Sequence, residues 1–207
     1  TGRKETNDDC CGVHIGEDSL LDTKGIIGVI ADGMSTSCAG QEASHACVKG
    51  FLSDYFSTPE SWSVKTSAHK VLSALNQWLH GQGQQRYGTA KGLVTTVSAL
   101  ILKSNMAYLF HVGDTRIYRL QGSDFECLTR DHRVTLSPEK NYLSRALGIE
   151  LNIEIDYRTL ALANGDLFLF TTDGIHDVLN DRQLLELLKD PNLDLQGICQ
   201  NMVTSAY

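Results

Sequence analysis

Three aspartates close runs of apolar residues in this chain: Asp32 in "GVIAD", Asp114 in "YLFHVGD" and Asp173 in "LFLFTTD". A glycine stands beside each, at Gly33, Gly113 and Gly174. Apolar runs of this length read as strands, and a strand delivers its last side chain to the rim of its sheet, where core meets solvent. The adjacent glycine leaves the main chain unshielded, so a carbonyl oxygen can also approach a ligand. Three ionised carboxylates within ~4 Å would repel by about 4 kcal/mol per pair at an effective dielectric near 20, so such a cluster requires a cation. Hard oxygen donors select Mg2+ or Mn2+. Taken singly, each Asp-Gly is also a good turn, and sequence alone does not say that the three strands are neighbours. "ETNDDCC" adds Asp8 and Asp9, which on their own read as a polar turn or a helix cap.

The elements that must position these residues follow from periodicity. Residues 8–15 are a short mixed run, and 25–31 read as a buried strand. Apolar and small residues at helical spacing predict helices over 39–56 and 63–80, separated by "PESW", with 81–88 as a loop. Short β-rich runs follow at 93–102, 106–114, 115–120 and 125–129, a meander-like, antiparallel texture. "NYLSRALG" (141–148) is expected to be a helical turn closed by Gly148. Alternation predicts a strand over 152–162 and another over 166–172, before helices over 181–189 and 195–203. Helix, helix, many strands, helix implies layers with sheets in the middle and helices outside.

Composition bounds the partners. The chain has 207 residues, 42% of them hydrophobic and 21% charged, with a net charge of −7. That sign disfavours nucleic acid and anionic membrane surfaces, which attract basic fields, and the apolar runs are far shorter than a membrane span. The six cysteines show no CxxC pair and no zinc-ligand spacing. With no secretory segment at the start, they read as reduced thiols of a cytoplasmic protein. There is no Cys-x5-Arg phosphatase pattern and no GxSxG elbow.

In this order, "NDD" (7–9), "VIADGM" (29–34), "GQEAS" (40–44), "TT" (95–96), "HVGDTRIYRL" (111–120), "LTRDH" (128–132), "LSRALG" (143–148) and "GDLFLFTTDGIHDVL" (165–179) resemble the metal-dependent Ser/Thr protein phosphatases of type 2C. The compact loops look like those of bacterial members. The resemblance implies an α+β fold, a four-layer α-β-β-α sandwich of two antiparallel sheets flanked by helices. It also implies two or three Mn2+ or Mg2+ ions at one end. Carried over by position, Asp32 would bridge two metals, the Gly33 carbonyl would bind one and Asp173 the other. Asp8 stands where the family usually has Glu and would reach a metal directly or through water. Asp9 would hold metal-bound waters, and Asp114 would help bind a third, weaker ion. The implied reaction is hydrolysis of phosphoserine and phosphothreonine in proteins by a hydroxide bridging the metals. Its partners would be a phosphorylated protein and, as in some bacterial relatives, a cognate Ser/Thr kinase.

The chain departs from the family pattern in three places. The phosphate-binding Arg position holds Lys4, with Arg3 beside it; either could meet the phosphate, Lys4 being preferred by register, and the competing reading is a solvated basic terminus. The segment from His132 to Tyr142 is shorter than the family's flap and would leave the site open. The closing Asp-Asn pair, whose Asp binds a metal, has no counterpart after Asp181, since Asp190 precedes Pro191 and Asp194 starts a helical pattern. The expectation is therefore one phosphatase domain over 1–207 without its C-terminal strand. Two rival readings are a catalytically weak or inactive phosphatase-like binding module and a hydrolase of small phosphate esters. His132 reads as structural, and His176 as a loop residue or a donor to the leaving oxygen.

Overall fold

In the strand β2 (Ile26–Asp32), Ile27, Val29 and Ala31 are buried on one face, while Gly28, Ile30 and Asp32 have the opposite parity. That parity decides where the chemistry sits. The residues of the first face pack under two helices. Those of the opposite face are turned toward another sheet, where the Phe170 ring lies against Gly28. A computed structural model describes residues 6–17, 19–34, 37–89, 91–137 and 140–207. The larger sheet has the order β1-β2-β3-β4-β9, built from β1 (Asp9–Ile15), β2, β3 (Val97–Lys103), β4 (Met106–Val112) and β9 (Asp156–Ala161). The smaller sheet, β10-β5-β6, comprises β5 (Arg116–Gln121), β6 (Asp124–Cys127) and β10 (Leu167–Thr171). Every strand pairing in both sheets is antiparallel.

Three apolar layers hold this arrangement. The helices α2 (Gly40–Phe56) and α3 (Val64–Tyr87) bury Cys47, Phe51, Leu72 and Leu79 against Ile27, Val29, Ile101 and Phe110 of the larger sheet. Between the sheets, Leu100 and Leu109 meet Ile117, Phe168 and Phe170. On the far side, Tyr118 and Leu169 pack under α5 (Asp181–Leu188) and α6 (Leu195–Ser205) through Leu184, Leu188, Ile198 and Met202. The result is the expected α-β-β-α sandwich. Each fully buried aliphatic or aromatic side chain contributes about 1.5–3 kcal/mol over its exposed state, so the strand ends are fixed by the cores beneath them. Among the described residues no helix is long and apolar enough to cross a membrane, and all six cysteines are free thiols.

The structure corrects several local expectations. The region 81–88 is not a loop: α3 runs on to Tyr87, capped at Ser63, whose hydroxyl accepts from the Thr66 amide, and ended by Gly88 at φ +65°. Gly81 and Gly83 suggest a break, but Gly83 is buried against the backbone around Gly92 and Leu93, a contact in which only glycine fits closely. The expected helical turn at 141–148 is absent. Its first residues belong to β8 (Lys140–Leu143), which pairs with β7 (Arg133–Ser137), and Leu147 instead exchanges backbone hydrogen bonds with Thr95. That tertiary pairing outweighs local helix propensity. Two short helices, α1 (Ser19–Lys24) and α4 (Asp173–His176), give no periodic signal in the sequence.

Candidate active site

The site is assembled where β1 begins and β2 ends. Asp9 and Asp32 are direct cross-strand partners, so their side chains share one face. Asp32 is clamped through its backbone. Its amide donates to Thr96 Oγ1 at 2.9 Å, and its carbonyl accepts from the Thr96 amide at 2.9 Å and from Thr95 Oγ1 at 3.0 Å. Beyond it, the Gly33 amide donates to the Asp8 carbonyl at 2.9 Å, and Gly33 bridges Thr95. The pair "TT" therefore fixes the end of β2 rather than touching a ligand.

The second sheet brings Asp173 to the same place. It does not end a strand: β10 stops at Thr171, and Asp173 is the first residue of α4. Thr172 joins the two sheets by donating from Oγ1 to Asp9 Oδ2 at 3.2 Å. Asp114 enters from the loop after β4, where Gly113 takes φ +111° and turns the chain back. Asp114 is only 7% exposed. Burial, then the charges of Asp9, Asp173 and Asp114, and a hydrogen bond with Asp9, push the Asp32 carboxyl far above the ordinary carboxylate range. Burial also raises Asp114, against the opposing pull of Arg133. Asp32 and Asp114 thus feel neighbouring carboxylates as negative charge.

One cation of the chain already answers part of that charge. Arg133 at the start of β7 places Nε 2.6 Å from Asp114 Oδ2, Nη1 3.3 Å from Asp177 Oδ2 and Nη2 3.8 Å from Asp173 Oδ2. Neither Arg133 nor Asp177 ends an apolar run, so neither stands out in the sequence. Nearby, Arg116 makes a two-pronged contact with Asp131 at 2.9 and 2.8 Å and holds the loop after β6. Burial alone would raise the Asp131 carboxyl, but the Arg116 hydrogen bonds outweigh it and hold it low.

Two buried histidines support the Asp114 loop. His132 is 5% exposed; its Nδ1 accepts from the Gly113 amide at 3.0 Å, so Nε2 carries the proton directed at Asp156 Oδ2, 3.1 Å away. This is the structural role expected of it. His111 Nε2 donates to the Arg130 carbonyl at 3.0 Å, and Nδ1 accepts from Ser98 Oγ at 2.8 Å. Burial, then His132, lowers its pKa to about 4. The unfolded chain, with His near 6.5, binds the proton first. His111 therefore contributes stability that is fully present above about pH 6.5 and lost as pH falls to about 4, on the order of 3 kcal/mol in all. Urea midpoints measured from neutral to acid pH should fall across that window, and the fall should be smaller in His111→Gln. An equal fall in the variant would remove His111 from the account. His176 is buried, with Nδ1 2.8 Å from Thr171 Oγ1, which places it under the loop rather than facing a ligand.

The donor set fits a hard divalent cation. Asp9, Asp32, Asp114 and Asp173 offer only oxygen donors, gathered from separate elements. Among the described residues no three His, Cys, Asp or Glu side chains are already closed round one ion-sized point. The existing pairings explain this: Asp9 is bonded to Asp32, and Arg133 holds Asp114. Asp8 lies one residue before β1 and meets the site through its carbonyl contact with Gly33. Arg3 and Lys4 lie outside the described residues. Asp190 accepts from the Asn192 amide and Asp194 caps α6, so neither turns toward the cluster as a ligand would.

Comparison with known proteins follows this geometry closely. The family model described as Protein phosphatase 2C matches residues 2–195. A serine/threonine phosphatase stp of Listeria innocua is 29% identical over 208 residues, covering 88% of this chain and 77% of the relative. The solved serine/threonine phosphatase Stp1 of Staphylococcus aureus superposes with a TM-score of 0.84 at 19% identity, over 100% of this chain and 85% of that one. The catalytic domain of the serine threonine protein phosphatase PstP, solved in complex with two manganese ions, gives 0.78 at 22% identity over 98% and 86%. The last two likenesses establish the fold.

Proposed function

This chain belongs to the protein phosphatase 2C family, and from that premise we propose that it hydrolyses phosphoserine and phosphothreonine esters in proteins with divalent metal ions held by its clustered aspartates. The observation that carries this reading is the meeting of Asp9, Asp32, Asp114 and Asp173 from separate elements at one rim of the sandwich. In this reading Mn2+ or Mg2+ is the cofactor, two or three ions in number; the PstP domain, similar in fold, was solved with two manganese ions. When bound, such ions lower the pKa of water and stabilise charge on the phosphoryl oxygens.

The chain's own residues do the positioning. Asp32 at the end of β2 and Asp173 at the start of α4 would hold the ions from two separate supports. Thr95 and Thr96 keep the Asp32 backbone from shifting, and Thr172 orients Asp9. The Gly33 carbonyl, Asp8 and Asp114 complete the proposed ligand set, and Lys4 or Arg3 receives the phosphate. The substrate is a phosphorylated protein, and a cognate Ser/Thr kinase supplies it. The 207 residues act as one catalytic domain. Its place of work is the cytoplasm, in keeping with six free thiols.

Hydrolysis of p-nitrophenyl phosphate and of a phosphothreonine peptide, with and without Mn2+, tests this. The wild type should turn over both only with metal, and should prefer the peptide. Asp173→Asn should lose on the order of a hundredfold or more in rate. A folded wild type without metal-dependent turnover would overturn the reading, and a preference for small metabolite esters would overturn the substrate class.

A further inference from the structure

We propose that Arg133 is a tethered counter-ion that competes with divalent metal for Asp114 and Asp173, and so sets how tightly that side of the site holds its ion. The proposal rests on the metal-dependent reading above. Arg133 follows His132, and His132 is bonded by its amide to the Gly113 carbonyl at 2.7 Å, while its carbonyl accepts from the Ser144 amide at 2.8 Å. The short β7–β8 hairpin is thereby anchored beside Asp114, and its first residue cannot avoid the acidic rim. Its guanidinium then answers three carboxylates from two loops: Asp114 at 2.6 Å, Asp177 at 3.3 Å and Asp173 at 3.8 Å. The Arg133 side chain is 19% exposed and that of Asp114 10%, so solvent screens this contact less than a surface pair.

Arg133 Nε engages Oδ2 of Asp114, so a divalent ion on that carboxylate meets a like charge a few ångströms away. Guanidinium and metal are both cations, so they cannot share Asp114 Oδ2 without repulsion. Arginine does not deprotonate near neutral pH, which makes the competition constant rather than pH-gated. That repulsion weakens the hold on the ion or pushes Arg133 toward Asp177, which it already meets at 3.3 Å. Arg133 is thus a positioning residue for metal occupancy, not a group that touches substrate.

Calorimetric titration of the metal-free protein with Mn2+ tests this directly. Arg133→Ala and Arg133→Gln should each bind one ion roughly tenfold more tightly than the wild type, as expected for removing a positive charge a few ångströms away. The remaining ion or ions should bind within about twofold of the wild type, since the other carboxylates keep their partners. Arg133→Lys should fall between, because a point charge makes fewer of the same contacts. Thermal melting in the same buffers shows that the variants are folded, and Mn2+ should raise their midpoints more than that of the wild type. Unchanged or weaker Mn2+ affinity in both folded variants would overturn the proposal while leaving the metal site standing. Failure of the wild type and every variant to bind Mn2+ would overturn both.

Discussion

Asp32→Asn should reduce Mn2+-dependent phosphatase activity by about a thousandfold and, in metal-free buffer, should melt no lower than the wild type. The two halves of this result have one cause. Asp32 is largely buried, and burial, Asp9, Asp173 and Asp114 all disfavour its charge. Asparagine keeps the size and one carbonyl oxygen while removing the charge, so the repulsion disappears with little change in packing. Added Mn2+ should reverse the order. The wild type should gain stability because an ion binds only the folded state, whereas the variant lacks a carboxylate oxygen that would help hold it and should gain little. Melting curves with and without Mn2+ should therefore cross. A metal-free Asp32→Asn that melts well below the wild type would mean that the carboxylates are not in mutual repulsion, and the account of the site would fail with it.

The layers of the fold are legible because burial writes itself into sequence with the period of the element. In β2 the alternation separates Ile27, Val29 and Ala31 from Gly28 and Asp32; in α2 the spacing of Ala43, Cys47 and Phe51 marks the face that meets them. What is not legible depends on contacts between distant residues. The passage of α3 through Gly81 and Gly83 depends on Gly83 lying against Gly92 and Leu93, and the non-helical course of 144–147 on Leu147 pairing with Thr95. Local propensity contains neither partner. The bend between β4 and β5 is a similar case, since adjacent runs that read as one meander belong to different sheets.

Asp32, Asp114 and Asp173 are legible as candidates, because each closes an apolar run beside a glycine, a pattern shared with ordinary turns; Asp9 is legible only through the family resemblance. The grouping of the four is not legible, since it requires knowing that β1 lies beside β2 and that Thr172 reaches Asp9. The counter-charge is the hardest to see. Arg133 lies in a short segment with no strong apolar run, and Asp177 just after α4; only the distances reveal that Arg133 meets Asp114, Asp173 and Asp177 together. The residues that sequence places at the phosphate, Arg3 and Lys4, fall outside the described residues, so their part rests on register alone.

The two Asp-Gly pairs, alike in sequence, should respond oppositely to alanine. A Cβ on Gly33 would stand 2.1 Å from the Gly40 carbonyl oxygen, 2.3 Å from its carbon and 2.9 Å from the Asp8 carbonyl. All three are backbone atoms, so no rotamer change relieves the contact. Gly40 is the first residue of α2 and is itself packed against Gly33 and Met34. Gly33→Ala must therefore push the start of α2 away from the end of β2, at a cost of about 1–3 kcal/mol or more. The displaced segment carries Asp32, and a shift near 1 Å at a site of this kind costs on the order of a hundredfold in rate. A Cβ on Gly174, by contrast, meets nothing within 4 Å. Gly174 lies inside α4 without a positive φ, so Gly174→Ala should leave urea stability unchanged or raise it by up to about 1 kcal/mol. Its activity should stay within a few-fold of the wild type, because Asp173 keeps its backbone. If Gly33→Ala is tolerated as well as Gly174→Ala, the close contact between β2 and α2 is not what holds Asp32 in place, and the rigidity assigned to that end of the site is wrong.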